Sequence, residues 1–330
     1  MRMRTLAGLA LAVTSALVIG CGGGNKSAES AAPAAGFQLP RRSWPRRGAD
    51  AYTARVDRAA GGVATSAPAG HVGLLLRHWR AARRVSQLDL ALDADVSSRH
   101  LSFVETGRAQ PSREMVLRLA EALEVPLRER NALLLAAGYA PLYRETDLGA
   151  PEMVEARLAV EFILAKQEPY PAIVVDRHWN LLLANPATHR FLALFLPGPP
   201  AGRVNVMRLV FDPQGVRPFV ENWEEVARHL VERLHREAAG PPDETTRALL
   251  EELLAYPGVP SDWRTPQLDR VPAPLLSIVY RKGDLRLSVF STITTFGTPQ
   301  DVTLQELRIE CFFPMDDATA KLLQSWAGSP

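Results

Sequence analysis

Between residues 71 and 140 apolar residues recur every three or four positions, in short runs separated by polar breaks, which is the pattern of helices packed on one side. In 72–83, Val72, Leu76, Trp79 and Arg83 share a stripe, with Leu75 and Ala82 beside it and an arginine-rich outer face. Ser86 stands as an N-cap before 87–92, with Asp89 in the capping-box position. Ser97 caps a third helix, 98–106, which stops at Gly107. Pro111-Ser112 opens a fourth helix, where Met115, Leu119 and Ala122 share a face, and 128–137 is a fifth, closed by Gly138. Two short helices joined by a tight turn and braced by three others predict a helix-turn-helix unit. Its second helix turns Leu101 and Val104 inward and presents Ser98, Arg99, Ser102 and Phe103 outward.

The pattern changes after residue 140. A connecting segment and helix over 141–167 carry Met153, Ala156, Val160 and Ile163 on one face. Two short apolar runs, 172–176 and 181–184, flank Arg177-His178-Trp179-Asn180 and read as strand, turn, strand. Asn185-Pro186 begins a helix, and 223–237 and 243–255 are two more. Beyond a proline-rich stretch, 257–274, residues 275–280 and 285–295 predict a hairpin around Lys282-Gly283-Asp284. Residues 304–313 alternate with period two, placing Leu307, Ile309, Cys311 and Phe313 on one face and Arg308 and Glu310 on the other. Asp316 caps a last helix. The fold class is therefore an all-α five-helix domain followed by an α+β domain whose single half-buried sheet has five antiparallel strands, with helices inserted between the second and third.

Charge divides the chain in the same places. Lys and Arg number 9 against 3 acids over 1–70, 10 against 8 over 71–140, and 19 against 25 over 141–330. Three stretches of about +6, +2 and −6 predict three jobs. The first stretch begins with a basic Met1-Arg2-Met3-Arg4, continues through an apolar run over 6–19 and ends at Gly20-Cys21, similar to a bacterial lipoprotein signal with Cys21 acylated. A Gly/Ser/Ala-rich tether and an Arg/Pro-rich tail follow, without apolar periodicity. Two cysteines make no disulfide framework and no metal spacing. His229 and His235 lie six apart on one helix and face different sides. The chain also lacks a phosphate-binding glycine loop and a nucleophile elbow, so the enzyme and metal classes fail.

The residues Ser86-Gln87, Leu90-Ala91, Val96-Ser97, Leu101, Glu105-x-Gly107 and Pro111-Ser112 resemble the XRE family of bacterial regulators, relatives of the phage repressors. Asp95 departs from the pattern, occupying a turn position that often carries glycine. The resemblance implies a DNA reader of lambda-repressor-like fold. Gln87 would bond a phosphate, Ser98 and Arg99 would stand at the base edges, Arg99 facing guanine, and Ser97 belongs to the same DNA-contacting set. Ser102 and Phe103 would touch a base or a thymine methyl, and Arg108 would add charge to the backbone contact. Glu105 is expected to hold the fold by hydrogen bonds. Such proteins usually read two half-sites of double-stranded operator DNA as homodimers.

The segment opening at Val174 resembles the start of PAS domains. Glu168-Pro-Tyr-Pro171, Asp176-x-x-Trp179, Asn185, Arg217-Pro218, Asn222-Trp223, 295–299 and 306–310 are together similar to the ligand-binding domain of MmyB-like regulators. That resemblance implies a small apolar, fatty-acid-like ligand and no other cofactor. Met207, Leu209, Phe219, Trp223, Phe290 and Cys311 are candidate lining residues, each also explicable as core. Arg217 is a candidate for the ligand carboxylate or for a neighbouring acid. The expected organisation is a leader (1–70), a DNA-binding domain (71–140), a linker helix (141–167) and a PAS-like ligand domain (168–330). A cytoplasmic regulator and an envelope lipoprotein anchored in the membrane through Cys21 are the two competing readings, because an exported DNA reader has no DNA to read.

Overall fold

The structure, a computed structural model, describes residues 71–198, 202–239, 243–266 and 275–326. The leader with Cys21 and the 267–274 part of the proline-rich stretch lie outside the described residues. No helix among the described residues is long and apolar enough to cross a membrane.

Five helices form the N-terminal head: α1 (His71–Arg83), α2 (Gln87–Asp93), α3 (Ser98–Glu105), α4 (Arg113–Ala122) and α5 (Leu127–Ala136). Ser86 and Ser97, expected as caps, fill that role, and Ser112 does the same for the helix that Pro111-Ser112 opens. Ser86 accepts from the Asp89 amide, Ser97 from His100 and Ser112 from Met115. Each satisfies an amide that the helix itself cannot pair. The α2–α3 turn places Asp95 in the left-handed region at φ 51, and Gly107 closes α3 at φ 74. An aspartate tolerates that backbone better than most residues, so the turn forms without glycine. Val72, Leu76, Trp79, Leu90, Leu101, Val104, Leu119 and Leu133 are buried together, forming the core that holds the helices.

The second part consists of α6 (Val154–Gln167), β1 (Ala172–Val175), β2 (Leu181–Ala184), α7 (Pro186–Ala193), α8 (Val206–Phe211), α9 (Trp223–Ala238), α10 (Glu244–Leu254), β3 (Ser277–Lys282), β4 (Leu285–Thr294), α11 (Val302–Glu306), β5 (Arg308–Pro314) and α12 (Asp317–Ser325). The sheet is antiparallel throughout, in the order β2-β1-β5-β4-β3. Among the described residues α7, α8, α9 and α10 lie between the second and third strands; the pattern predicts α7, α9 and α10, and the short α8 is an addition to it.

Three expectations need correction. The last strand starts at Arg308, not 304. Asp301 accepts from the Thr303 amide at 2.8 Å and caps α11, so the residues ahead of the strand coil instead of extending. The helix over 154–167 is no free linker. Its Val160 and Leu164 pack on Ala172, Val174, Ile309 and Cys311, and it covers one face of the sheet. Nor is the sheet half-buried. α8, α9 and α10 cover its other face, and there Glu310 is buried and Arg308 mostly so. Alternation separates the two faces but does not say that one of them is wet.

Gly73 brings α1 onto the end of α3. A Cβ there would sit 2.4 Å from the Val104 carbonyl oxygen and 2.8 Å from that of Glu105, both backbone atoms. Gly73→Ala should therefore destabilise the protein by about 1–3 kcal/mol, read as a lowered midpoint in denaturant unfolding.

Candidate nucleic-acid interface and ligand cleft

The outward face of α3 is held from behind by one carboxylate. Glu105, 3 % exposed, accepts Arg80 Nε at 2.9 Å, Arg80 Nη2 at 3.0 Å and Gln87 Nε2 at 3.0 Å. A carboxylate taken out of water needs such partners, and here they come from α1 and α2, which sets the angle between the two helices of the reading motif. On the free side, Ser98 and Arg99 are exposed and Ser102 and Phe103 half-buried, while Leu101 and Val104 are fully buried. The Arg99 guanidinium carbon lies 5.5 Å from the Phe103 ring centroid, so the two side chains form one surface. Arg108 is exposed just beyond Gly107. Ser97 serves as the cap of α3. Gln87, expected at a phosphate, has its amide nitrogen engaged by Glu105, with one hydrogen and its carbonyl oxygen left over.

The predicted ligand-lining residues do not meet in one cavity. Met207 is fully buried beside Phe211 and Leu253, and Leu209 and Phe219 join a neighbouring aromatic cluster with Phe195. Phe290 and Cys311 lie on the opposite face of the sheet, where Phe290 stacks on Phe313 at 5.4 Å and Cys311 packs under α6. The register requires this: Phe290 pairs with Phe313, and Cys311 is two residues away on the same face of β5. Burial pushes the Cys311 thiol upward.

Arg217 and Trp223 do come together. With Pro213, Pro218 and Pro257 they line an open cleft of about 330 Å³. The Arg217 guanidinium carbon lies 3.7 Å from the Trp223 ring centroid, and Nη1 donates to the carbonyls of Phe211 (3.2 Å) and Pro257 (2.7 Å). Burial lowers the pKa of Arg217, and among the described residues no carboxylate forms an ion pair with it. Trp223 stacks in turn on Trp263, 6.1 Å away, and Arg228 caps that ring at 4.8 Å.

Residues 156–325 match the family of MmyB-like transcription regulator ligand-binding domains, and residues 71–133 match a helix-turn-helix domain family. The chain belongs to the MmyB-like transcription regulators. Among solved structures, the restriction-modification controller protein C.AhdI from Aeromonas hydrophila is 33 % identical over 18 % of this chain and 92 % of its own, with a TM-score of 0.18. The clp gene regulator ClgR from Corynebacterium glutamicum is 31 % identical over 23 % of this chain and 96 % of its own, TM-score 0.20. An RNA-binding light-oxygen-voltage receptor is 12 % identical over 78 % of this chain and 63 % of its own, TM-score 0.22. TM-scores this low bear on neither fold nor function. No curated protein sequence matches the chain.

This MmyB-like regulator has a second, charged cleft that sequence reasoning missed. It measures about 370 Å³ and is lined by Arg128 and Glu129 of α5, Arg177 and His178 of the β1–β2 turn, Asp243 and Glu306. Glu306 accepts Arg128 Nε at 2.7 Å, Arg128 Nη2 at 2.9 Å and Arg177 Nη1 at 3.1 Å. Arg177 Nη2 donates to Asp243 at 2.6 Å, and His178 Nε2 lies 3.1 Å from the same oxygen. Contacts between residues 178 positions apart leave no trace in local periodicity. The signals available were Arg177, His178 and Glu306, all inside matching segments but without a role.

Burial works against the Asp243 carboxylate, yet the Thr246 hydroxyl, Arg177 and His178 together hold its pKa well below the aspartate range. A depressed folded pKa contributes stability above the unfolded value, and that contribution disappears as pH falls through the folded one. Asp243→Asn, which keeps an N-cap for α10, should cost about 1–3 kcal/mol at neutral pH. The gap to the parent protein should narrow as pH drops below about 4, measured by urea unfolding at a series of pH values.

Proposed function

We propose that the protein is a cytoplasmic, dimeric transcription regulator that reads two operator half-sites through α3 and responds to a small apolar carboxylate held beside Arg217. The observation that carries this reading is the outward face of α3. Ser98, Arg99, Ser102 and Phe103 stand free of the core on a helix whose other side is locked by Leu101, Val104 and Glu105. The N-terminal residues of such a helix meet base edges in the major groove, and a guanidinium suits guanine O6 and N7. Arg108, Ser97 and the remaining hydrogen of the Gln87 amide serve the phosphates. Ten basic against eight acidic residues over 71–140 give one copy little to gain from phosphates, which favours two copies on two half-sites. A DNA partner supports the cytoplasmic reading over the anchored one.

For the ligand, the support is a guanidinium that has no acid partner among the described residues and stands beside an indole and three prolines. A fatty-acid-like molecule offers the carboxylate and apolar body that this surface can accept, with no other cofactor needed. Its effect on DNA binding requires unequal affinity for DNA-competent and DNA-incompetent arrangements.

Operator selection from random DNA tests the reading head. Arg99→Ala should lose about 1–3 kcal/mol of preference at one base position, while Arg108→Ala should weaken all sequences alike and reduce the salt slope by about 1. Unchanged preference in Arg99→Ala overturns the orientation of α3. Calorimetric titration with decanoate tests the cleft. Arg217→Ala should weaken binding about tenfold or more, the worth of a charge-assisted hydrogen bond. Equal binding by both proteins moves the carboxylate elsewhere.

A further inference from the structure

α5, the last helix of the reading head, starts without a cap of its own. Pro126 occupies the N-cap position and offers no side-chain acceptor. The first amide of the helix, Leu127 N–H, donates instead to Gln305 Oε1 at 2.6 Å, from α11 of the ligand domain. The next residue on each side adds the forked Arg128–Glu306 pair at 2.7 and 2.9 Å, and Glu145 of the connecting segment takes the rest of the Arg128 guanidinium. Hydrogen bonding to Glu306 raises the pKa of Arg128 most, against the pull of burial. Two adjacent residues of the ligand domain thus complete the first turn of a DNA-head helix with an acceptor and a negative charge, as a helix N-terminus requires.

Glu306 is also tied toward the helices on the far side of the sheet. It binds Arg177, and Arg177 binds Asp243, whose other oxygen accepts from the Thr245 amide at the start of α10. Two residues after Glu306, Arg308 lies 3.0 Å from Glu237 of α9, the helix that begins at Trp223 in the Arg217 cleft.

We propose that Gln305 and Glu306 are the positioning residues of this regulator: they supply the missing cap of α5 and thereby set the DNA-reading head against the ligand domain. Anything that moves α9 or α10 then reaches the head through this pair. The role in regulation rests on the proposed function, but the capping role does not. Coupling of this kind is reciprocal, so whatever affinity the ligand adds for DNA, DNA adds for the ligand.

The test uses the full chain with Gln305→Ala, Gln305→Glu and Glu306→Gln, read first by amide hydrogen exchange. In Gln305→Ala the Leu127 amide should exchange about tenfold faster, while the amides of Leu101 and Leu119 keep their rates. Gln305→Glu, which retains an acceptor at the same place, should keep the parent rate. Slow exchange of Leu127 in Gln305→Ala overturns the proposal, and so does an equal rise through the whole head, which reports general loosening. The second readout is the change in operator affinity on adding decanoate. It should shrink in Gln305→Ala and Glu306→Gln and persist in Gln305→Glu. If no operator or no decanoate response exists, the proposed function fails while the exchange result still decides the cap. A full decanoate response in Gln305→Ala and Glu306→Gln overturns the positioning role.

Discussion

A carboxylate withdrawn from water has to keep its hydrogen-bond partners, and that constraint organises this molecule more than any single apolar contact. Leaving one such group unpaired costs several times what a made hydrogen bond contributes. Glu105 meets the requirement with Arg80 and Gln87 and so joins α1, α2 and α3 into one head. Glu237 meets it under the sheet by hydrogen bonds from Trp179 and Arg233, with Arg308 as an ion-pair neighbour at 3.0 Å; the two guanidinium carbons lie 4.6 and 4.8 Å from the Trp179 ring centroid. Glu306 meets it at the junction of the two domains.

Arginine suits this task because its planar fork makes two parallel bonds to one carboxylate while its face stacks on an indole. With 34 arginines against 4 lysines, arginine is the cation that meets Glu105, Glu237 and Glu306. The consequence for function is a division between spent and free guanidinium groups. Arg80, Arg128, Arg177 and Arg308 are committed to internal acids. Arg99 and Arg108 face solvent beside α3, and Arg217 spends its charge only on backbone carbonyls and a ring. Arg99, Arg108 and Arg217 lie on the surfaces proposed for DNA and ligand, and Arg77, Arg84 and Arg113 are further exposed guanidinium groups of the head.

Much of the head was legible because its determinants are local. Ser86, Ser97 and Ser112 each bond an amide three residues on, Asp95 and Gly107 set single dihedral angles, and Leu101 and Val104 follow the helical period. The helical insertion between the second and third strands was legible for the same reason, and so was the hairpin pairing of Lys282 with Leu285. The candidate lining was less so. Met207, Phe290 and Cys311 are equally apolar in sequence, and only the register of β4 on β5 and the docking of α6 separate them onto different sides of the sheet. α11 escaped because Leu304 and Glu306 fit a strand period, whereas Asp301, held by the Thr146 hydroxyl at 2.7 Å, coils the residues between.

By itself the sequence determined where the helices of the head start and stop, which residues of α3 face outward, the family to which the motifs belong and the order of the elements apart from α8 and α11. These properties depend on neighbours within about one helical turn or on period-two alternation. Tertiary structure alone decided that both faces of the sheet are covered, which arginine serves which acid, and that Gln305 and Glu306 grip α5. Those are pairings between residues far apart in the chain. A guanidinium reads as solvated surface in sequence until folding brings a particular carboxylate within three ångströms of it and removes the water from both.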